Sequence, residues 1–281
     1  MFDSSPFHDL SGFLTPTVMQ VYVVLMFLAV VAGTIIDTIH KKSAQYFFEN
    51  AQKAQKSAKR TVSGGEKASL AMSTLANEVL TSSEFANPKR RQSHLLTMYG
   101  FIFFLVTTVM LIFGYPMPGE AVPGLVVALW HIGALMVCVG GYWFWFYIRC
   151  DVNSEGKHWY HLVRADMFVL SLLMTTTFAL LWSVTRGAGA LNILFFVIFI
   201  SSSTFLFTTV LWSKFAHMFF KPAAAYQKKV TKADGSQENL PDVGDMSDPE
   251  LQSRYPDIPT YLGDVPPDMG LGIKRESPNH Y

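Results

Sequence analysis

The sequence predicts an all-α integral membrane bundle of five transmembrane helices, and three observations predict it. Of the 281 residues, 50% are hydrophobic and only 15% are charged, whereas an ordinary soluble domain has about 25% charged residues. Five apolar runs each have about the length of a helix that crosses a bilayer. The connections at 114–122 and 185–190 are short and contain turn residues, so consecutive helices are expected to run antiparallel.

The first apolar run, residues 17–39, is predicted to be a retained transmembrane span. It is too long for a cleaved signal peptide and has the wrong flanking charges for one. It follows a short polar stretch, residues 1–16, that contains no Lys or Arg. The other four spans are predicted at 94–113, 123–148, 165–184 and 191–212.

Two long hydrophilic stretches lie outside the spans. Residues 40–93 are rich in Ala, Lys, Gln, Glu and Leu, so they are predicted to form amphipathic helices on the membrane face, interrupted at Gly64 and Gly65. Residues 213–281 are rich in Pro, Asp, Gly and Ser. They are predicted to form an extended tail that becomes ordered on a partner, and a solvated, disordered tail is the alternative.

The basic residues orient the bundle. If the N-terminus lies outside, all of the 22 Lys and Arg residues except Arg186 lie on the inner side. Because basic residues are concentrated in the cytoplasmic segments of membrane proteins, the predicted topology is N-out and C-in. Both long hydrophilic stretches are then cytoplasmic. The net charge of +1 does not suggest a nucleic-acid binder.

Two histidines are candidate metal ligands. The start of the second span and the end of the fifth meet on the inner side of such a bundle, and His94 and His217 lie at these two places. Two neutral imidazoles at one level could hold the iron of a haem b from both faces, although interfacial histidines are also ordinary membrane anchors. Nearby basic residues could neutralise the haem propionates, or could serve only the positive-inside bias: Arg90, Arg91, Arg149, Arg164 and Lys214.

His131 lies within the predicted third span, where an ionisable residue is a functional candidate. Three roles stay open. It could form a hydrogen bond to a quinone, contribute to a site with Met110 or Met174, or be a neutral side chain bonded to a neighbouring helix. Gly133 and Gly140 share a face of the same span and could make room for a flat macrocycle or permit close helix packing.

Several function classes are disfavoured by what the sequence lacks. The two cysteines, Cys138 and Cys150, do not form a C-x-x-C pair, so the chain cannot build a cysteine-ligated iron–sulfur cluster or structural zinc site alone. The middles of the predicted spans contain no Asp, Glu, Lys or Arg. A proton pump or ion-coupled transporter usually needs such groups in its pathway.

The motifs HLLTMYGF, at 94–101, and WSKFAHMF, at 212–219, resemble a known group. It comprises the five-span haem b subunits related to the gamma subunit of respiratory nitrate reductase and to the membrane part of quinone-interacting oxidoreductases of sulfur metabolism. Within it, the chain is most similar to the membrane-anchor subunits of adenylylsulfate (APS) reductase from sulfur-oxidising bacteria. This similarity includes SGGEKASLA at 63–71 and LGIKRE at 271–276.

The resemblance implies a subunit of the bacterial inner membrane, surrounded by lipid, that passes electrons between cytoplasmic APS reductase and the quinone pool. It implies one haem b between His94 and His217. A second haem of that family would need ligands around Phe104 and Phe199, and neither is histidine. The competing hypothesis is a cofactor-free anchor that only docks the soluble enzyme, and a small-molecule transporter is a third.

Overall fold

The computed structural model describes residues 5–40, 42–83, 85, 87–153, 155–210, 217–236 and 248–254, without the side chains of 11, 43, 44, 217–219, 251, 252 and 254. All regular secondary structure in these ranges is helical. The chain divides into two compact units. The described residues of Met1–Ala44 and Leu80–Lys221 belong to the first, and those of Gln45–Val79 and Pro222–Pro278 to the second.

Five helices of the first unit are long and apolar enough to cross a membrane, which confirms the predicted all-α class with five candidate spans. The second and third of these helices are extended by π-helical turns, at Met110–Gly114 and Phe144–Ile148. A short helix, α6, Cys150–Asn153, follows the second of these turns. The five long helices are α1, Pro16–His40; α4, Pro88–Val109; α5, Gly124–Trp143; α7, Met167–Val184; and α8, Ala190–Thr208.

Helix α4 begins at Pro88, earlier than the predicted span at 94–113. The Asn87 side chain caps it by accepting hydrogen bonds from the backbone N–H groups of Lys89 and Arg90, at 2.9 and 3.2 Å. Proline is favoured in the first turn, where its missing N–H has no helical partner. The basic residues are therefore helical, and His94 lies in the second turn of α4 rather than at its start.

The five helices pack side by side, with α4 against α5, α5 against α7, α7 against α8, and α8 against α1. Helices α4 and α5 approach most closely at glycines. A Cβ on Gly133 would lie 2.6 Å from the backbone nitrogen of Phe104. The Ser93 hydroxyl also donates to the Gly140 carbonyl at 2.8 Å. These two glycines therefore serve close helix packing, one of the two roles considered for them.

The predicted 1–16 stretch contains a 3₁₀ helix, Pro6–Gly12, that lies at one end of the bundle. We call this the N-terminal end; it comprises residues 5–15, 115–123 and 185–189. His8 Nε2 lies 3.1 Å from the Tyr115 carbonyl, and Asp9 is 3.2 Å from Arg186. The opposite end, which carries the basic residues at 89–91, 149 and 164, is called the basic end.

The second unit is also helical. Its helices were predicted to be interrupted at Gly64 and Gly65, but these glycines begin a helix and the break falls at 58–63. Ser63 fixes this start, because its hydroxyl accepts from the Glu66 N–H. Ion pairs Arg60–Glu66 and Lys229–Glu78 tie the unit together. The helices with residues in this unit are α2, Ser43–Ser57; α3, Gly64–Thr74; α9, His217–Ala233; and α10, Pro249–Arg254.

Helix α9 corrects the prediction that the chain is extended from residue 213 onward. Its 17 residues include the run AAAYQKKVTKA at 223–233, whose Ala, Lys and Gln residues favour helix. The proline-rich composition of the whole tail conceals this local preference. Residues 237–247 and 255–281 lie outside the described residues.

Candidate functional site

His94 is held by residues that precede its own helix. Its Nδ1 lies 3.1 Å from the Ser82 hydroxyl, and its ring centroid is 4.9 Å from that of Phe85. Ser82 is fully buried and has a φ of 48°, in the left-handed region that non-glycine residues seldom adopt. Such a conformation persists only where the surrounding structure imposes it. The contact with His94 is therefore built into the fold.

The two residues before Ser82 are bound to the same helix. The Tyr99 hydroxyl donates to the Leu80 carbonyl at 2.7 Å, and Arg91 Nε donates to the Thr81 carbonyl at 2.7 Å. Three consecutive residues thus each bond to a different side chain of α4. Together they fix the segment that carries Ser82 against the helix that carries His94.

This arrangement suits a ligating histidine. An imidazole that donates its Nδ1–H to a neighbouring oxygen has a defined tautomer, with the lone pair on Nε2, and a restricted ring orientation. Metal-bound histidines generally have such a partner on the other nitrogen. The Ser82 hydroxyl can accept this bond. The donor chemistry at His94 therefore fits an axial ligand of haem.

The second predicted ligand, His217, is the first residue of α9, and its side chain lies outside the described residues, as does Lys214. A side chain of the same helix comes close to Phe85, which contacts His94. Lys221 Nζ lies 5.2 Å from the Phe85 ring centroid, and the same ring contacts His94. Since positions four apart share a helix face, residue 217 lies on the face of α9 that includes Lys221, one turn earlier.

The basic residues proposed to neutralise propionates differ in their surroundings. Arg90 lies over the Phe85 ring at 5.7 Å, and Arg91 bonds to Thr81, so both are close to His94. Arg164 is exposed, between the end of α6 and the start of α7. The proposed site therefore has two of these cations in its immediate neighbourhood.

Arg149 has a different environment. It is 2% exposed and donates to Asp166 at 2.7 Å, and its guanidinium lies 4.0 Å from the centre of the Trp145 ring. It also donates to the Trp159 and His161 carbonyls, at 3.2 and 2.8 Å. These bonds tie the 150–166 connection to the end of α5. Most of the donors of Arg149 are therefore used within this connection.

His131 is buried, at 8% exposure, and both ring nitrogens have partners. Nδ1 lies 2.8 Å from the Val127 carbonyl, so it carries the proton, and Nε2 lies 2.8 Å from the Ser183 hydroxyl. The imidazole therefore links α5 to α7. Met110 and Met174, the sulfur partners considered for it, are both 42% exposed.

Sequence reasoning missed Ser82, Ser183 and the Arg149–Asp166 pair. Arg149 directly follows the predicted third span and Asp166 lies at the start of the fourth, so the opposite charges at these two span ends could have predicted the pair. No such signal exists for the two serines, because a serine 12 or 52 residues from its histidine is one of many.

The N-terminal end has its own charged pair. Burial lowers the pKa of the Arg186 guanidinium, and the Asp9 carboxylate opposes this shift. Asp9 is about half exposed, so the pair lies at the surface of the bundle.

Comparison of this chain with models of protein families, with characterised proteins and with solved structures finds no match. The chain is a multi-pass membrane protein by its five candidate spans. The expected relation to the five-span haem b subunits rests on the similarity of the two histidine motifs.

Proposed function

We propose that this chain is a membrane subunit that carries electrons between a cytoplasmic redox enzyme and quinone through one haem b held by His94 and His217. The observation that carries the proposal is the setting of His94, whose Nδ1 is 3.1 Å from the buried Ser82 hydroxyl. An ordinary interfacial anchor needs no such partner, because its polar atoms bond to water and headgroups. A ligating imidazole does need one.

The position of α9 supports the second ligand. Phe85 contacts the His94 ring and lies 5.2 Å from Lys221 Nζ, so the Lys221 side chain reaches the neighbourhood of His94. Phe220 also packs against the cluster that includes Leu206 and Val210, near the end of α8. Two side chains near the start of α9 thus contact the bundle.

Haem would supply a one-electron carrier at this site. Ser82 would orient the His94 ring and keep Nε2 unprotonated, and Arg90 and Arg91 would face the propionates. Arg149 would instead hold the 150–166 connection. The N-out and C-in topology is part of the proposal, and it puts His94 on the cytoplasmic side.

Quinone would bind towards the other side, near the His131–Ser183 pair. A hydroxyl donor and an imidazole acceptor, buried together at 2.8 Å, are the groups that a quinone or quinol head group needs. By the resemblance, the cytoplasmic enzyme would be APS reductase, which oxidises sulfite with AMP. The sulfur chemistry would belong to that enzyme.

A cofactor-free anchor is the second candidate, and one observation favours it. The described residues of Gln45–Val79 and those of α9 from Pro222 onward belong to a compact unit with its own ion pairs. Such a unit provides a docking surface whether or not haem is bound.

An absorption spectrum of protein purified from haem-supplied cells tests the proposal. We expect a Soret band and sharp α and β bands on reduction in the wild type, and loss of these bands in His94→Ala and His217→Ala. His40→Ala is the control, because His40 is an exposed histidine at the end of α1. A colourless wild type, or full spectra in both ligand variants, would overturn the haem site. Co-purification of the enzyme with a colourless protein would favour the anchor.

A further inference from the structure

An aromatic side chain from outside the spans is inserted into the N-terminal end of the bundle. Phe7, in the 3₁₀ helix Pro6–Gly12, packs edge-on against Trp130 of α5 and Trp182 of α7, with ring centroids 6.1 and 5.3 Å apart. Both tryptophans are almost completely buried, and Trp182 stacks on Phe199 of α8 at 5.8 Å. The Phe7 ring therefore occupies an aromatic slot whose walls belong to the spanning helices.

A polar pair lies beside this slot. His131 follows Trp130 on α5, with ring centroids 4.8 Å apart, and Ser183 follows Trp182 on α7. His131 Nε2 and the Ser183 hydroxyl are 2.8 Å apart, so the two helices are bonded at the level where the two tryptophans flank Phe7. The aromatic walls thus lie next to a hydroxyl and an imidazole nitrogen that are bonded to each other.

Polar contacts of the segment that carries Phe7 with the rest of the bundle include the Asp9–Arg186 pair, at 3.2 Å, and the His8 contact with the Tyr115 carbonyl, at 3.1 Å. The Asp9 side chain is about half exposed, so solvent screens its attraction to Arg186. A cavity of about 20 Å³ lies between this segment, the start of α1 and the end of α4, and it is lined by Phe7, Leu10, Leu14, Met19, Leu111 and Ile112 among others. The segment therefore packs on the bundle through the apolar side chains of Phe7 and Leu10, next to incompletely filled space.

We infer that the slot between Trp130 and Trp182 is the binding place of a quinone head group, and that the Pro6–Gly12 helix is a displaceable lid whose Phe7 ring occupies it in the closed state. This rests on the quinone part of the proposed function. In the open state the planar ring of the quinone occupies the position that the Phe7 ring has between the two tryptophans. Ser183 then donates its hydroxyl hydrogen to a carbonyl of the bound ring, and His131 Nε2 accepts from a hydroxyl of the reduced form.

A lid that competes with the ligand lowers the apparent affinity, because only the open fraction of the protein can bind. Weakening the lid should therefore tighten binding. The probe is the fluorescent quinone analogue 2-heptyl-4-hydroxyquinoline N-oxide, titrated into the purified full-length protein. We expect Phe7→Ala to bind it about tenfold more tightly than the wild type, since two aromatic contacts of the closed state are lost.

Two further variants separate the lid from a general disturbance of folding. Asp9→Asn weakens the attachment without touching the slot, and it should also tighten binding. Phe13→Ala is the control, because Phe13 is 55% exposed and contacts Phe196 rather than the two tryptophans. It should bind the probe as the wild type does. Thermal unfolding of each variant shows that it is folded.

The lid is overturned if neither Phe7→Ala nor Asp9→Asn binds more tightly than the wild type, or if Phe13→Ala tightens binding equally. Absence of binding in every variant overturns the slot itself. Both outcomes are independent of haem. If the protein is colourless but its Phe7→Ala variant binds the analogue more tightly, the lid is supported and the haem site is wrong. If the protein contains haem but the affinities of the variants are unchanged, the haem site is supported and the lid is wrong.

Discussion

Ser82 and His94 are joined by a 3.1 Å contact between the serine hydroxyl and Nδ1 of the imidazole, across the turn that leads into α4. The serine has a left-handed backbone and no exposed surface. Such a conformation persists only where the surrounding structure imposes it, and the contact restricts the orientation of the His94 ring. On this basis His94, rather than His131, is the stronger ligand candidate, because the two ring nitrogens of His131 bond to Val127 and Ser183.

If His94 ligates haem as proposed, with its Nδ1–H donating to the Ser82 hydroxyl, replacement of Ser82 by Ala should weaken haem binding. The hydroxyl that accepts from Nδ1 is lost, so the His94 ring is less constrained and less basic, and loss of such a partner typically lowers metal affinity about 10- to 100-fold. Transfer of haem to an excess of apomyoglobin, followed by absorbance, measures this. The midpoint potential should also rise, because a less basic ligand stabilises ferric iron less.

The matched control is Ser83→Ala, which removes the exposed hydroxyl of the next residue. It should retain haem as the wild type does. Equal retention by the two variants, with equal midpoint potentials, would show that Ser82 does not act through His94.

Loss of the Arg149 cation should destabilise the bundle. Arg149→Met leaves the Asp166 carboxylate buried without its 2.7 Å partner, and breaking one side of a buried pair lowers the free energy of unfolding by about 3–5 kcal/mol. Unfolding followed by circular dichroism in mild detergent measures the difference. The double variant Arg149→Met/Asp166→Leu should recover part of the loss, since no charge then remains buried.

The exposed pair of Lys157 and Glu155, in the same connection, provides the control. Lys157→Met should change stability little, because solvent screens that pair. If Arg149→Met were as stable as Lys157→Met, the guanidinium would not be what holds residues 150–166 in place.

The spans were predictable because length and apolarity are local properties of the sequence. The starts of the helices were less predictable. The apolar run begins near residue 94, whereas α4 begins at Pro88 because Asn87 caps it and Pro88 suits its first turn. The long-range contacts of the site were not predictable. His131 could be identified by its depth in a span, but its bond to Ser183 depends on the rotation of two helices about their axes, which hydrophobicity does not specify in a bundle buried in lipid.

The close approach of α4 and α5 gives a third prediction. In Gly133→Ala, the added methyl group would meet the Phe104 nitrogen at 2.6 Å and the Gly100 carbonyl at 2.8 Å. Neither is a flexible side chain, so the helices must separate. Overpacking of this kind costs about 1–3 kcal/mol, which the same unfolding measurement detects.

Gly124→Ala is the control in the same helix. Nothing lies within 4 Å of its added Cβ, so this variant should be as stable as the wild type or slightly more stable, because alanine restricts the unfolded chain. Equal stability of the two alanine variants would mean that the helices can separate at Gly133 without loss.

The second unit offers a prediction about pH. Hydrogen bonds from Arg60 hold the pKa of the Glu66 carboxyl below its ordinary value of 4.5. Since the folded pKa is the lower one, the stability contributed by this pair is complete above about pH 4.5. It is lost as the pH falls through the lowered folded value.

In Arg60→Met the pKa of Glu66 should return towards 4.5, as measured by the pH dependence of its carboxyl ¹³C chemical shift. Lys67→Met removes the charge next to Glu66 in sequence without removing a bond to it, and should leave the pKa low. An unchanged pKa in Arg60→Met would show that the bidentate contact does not form in solution.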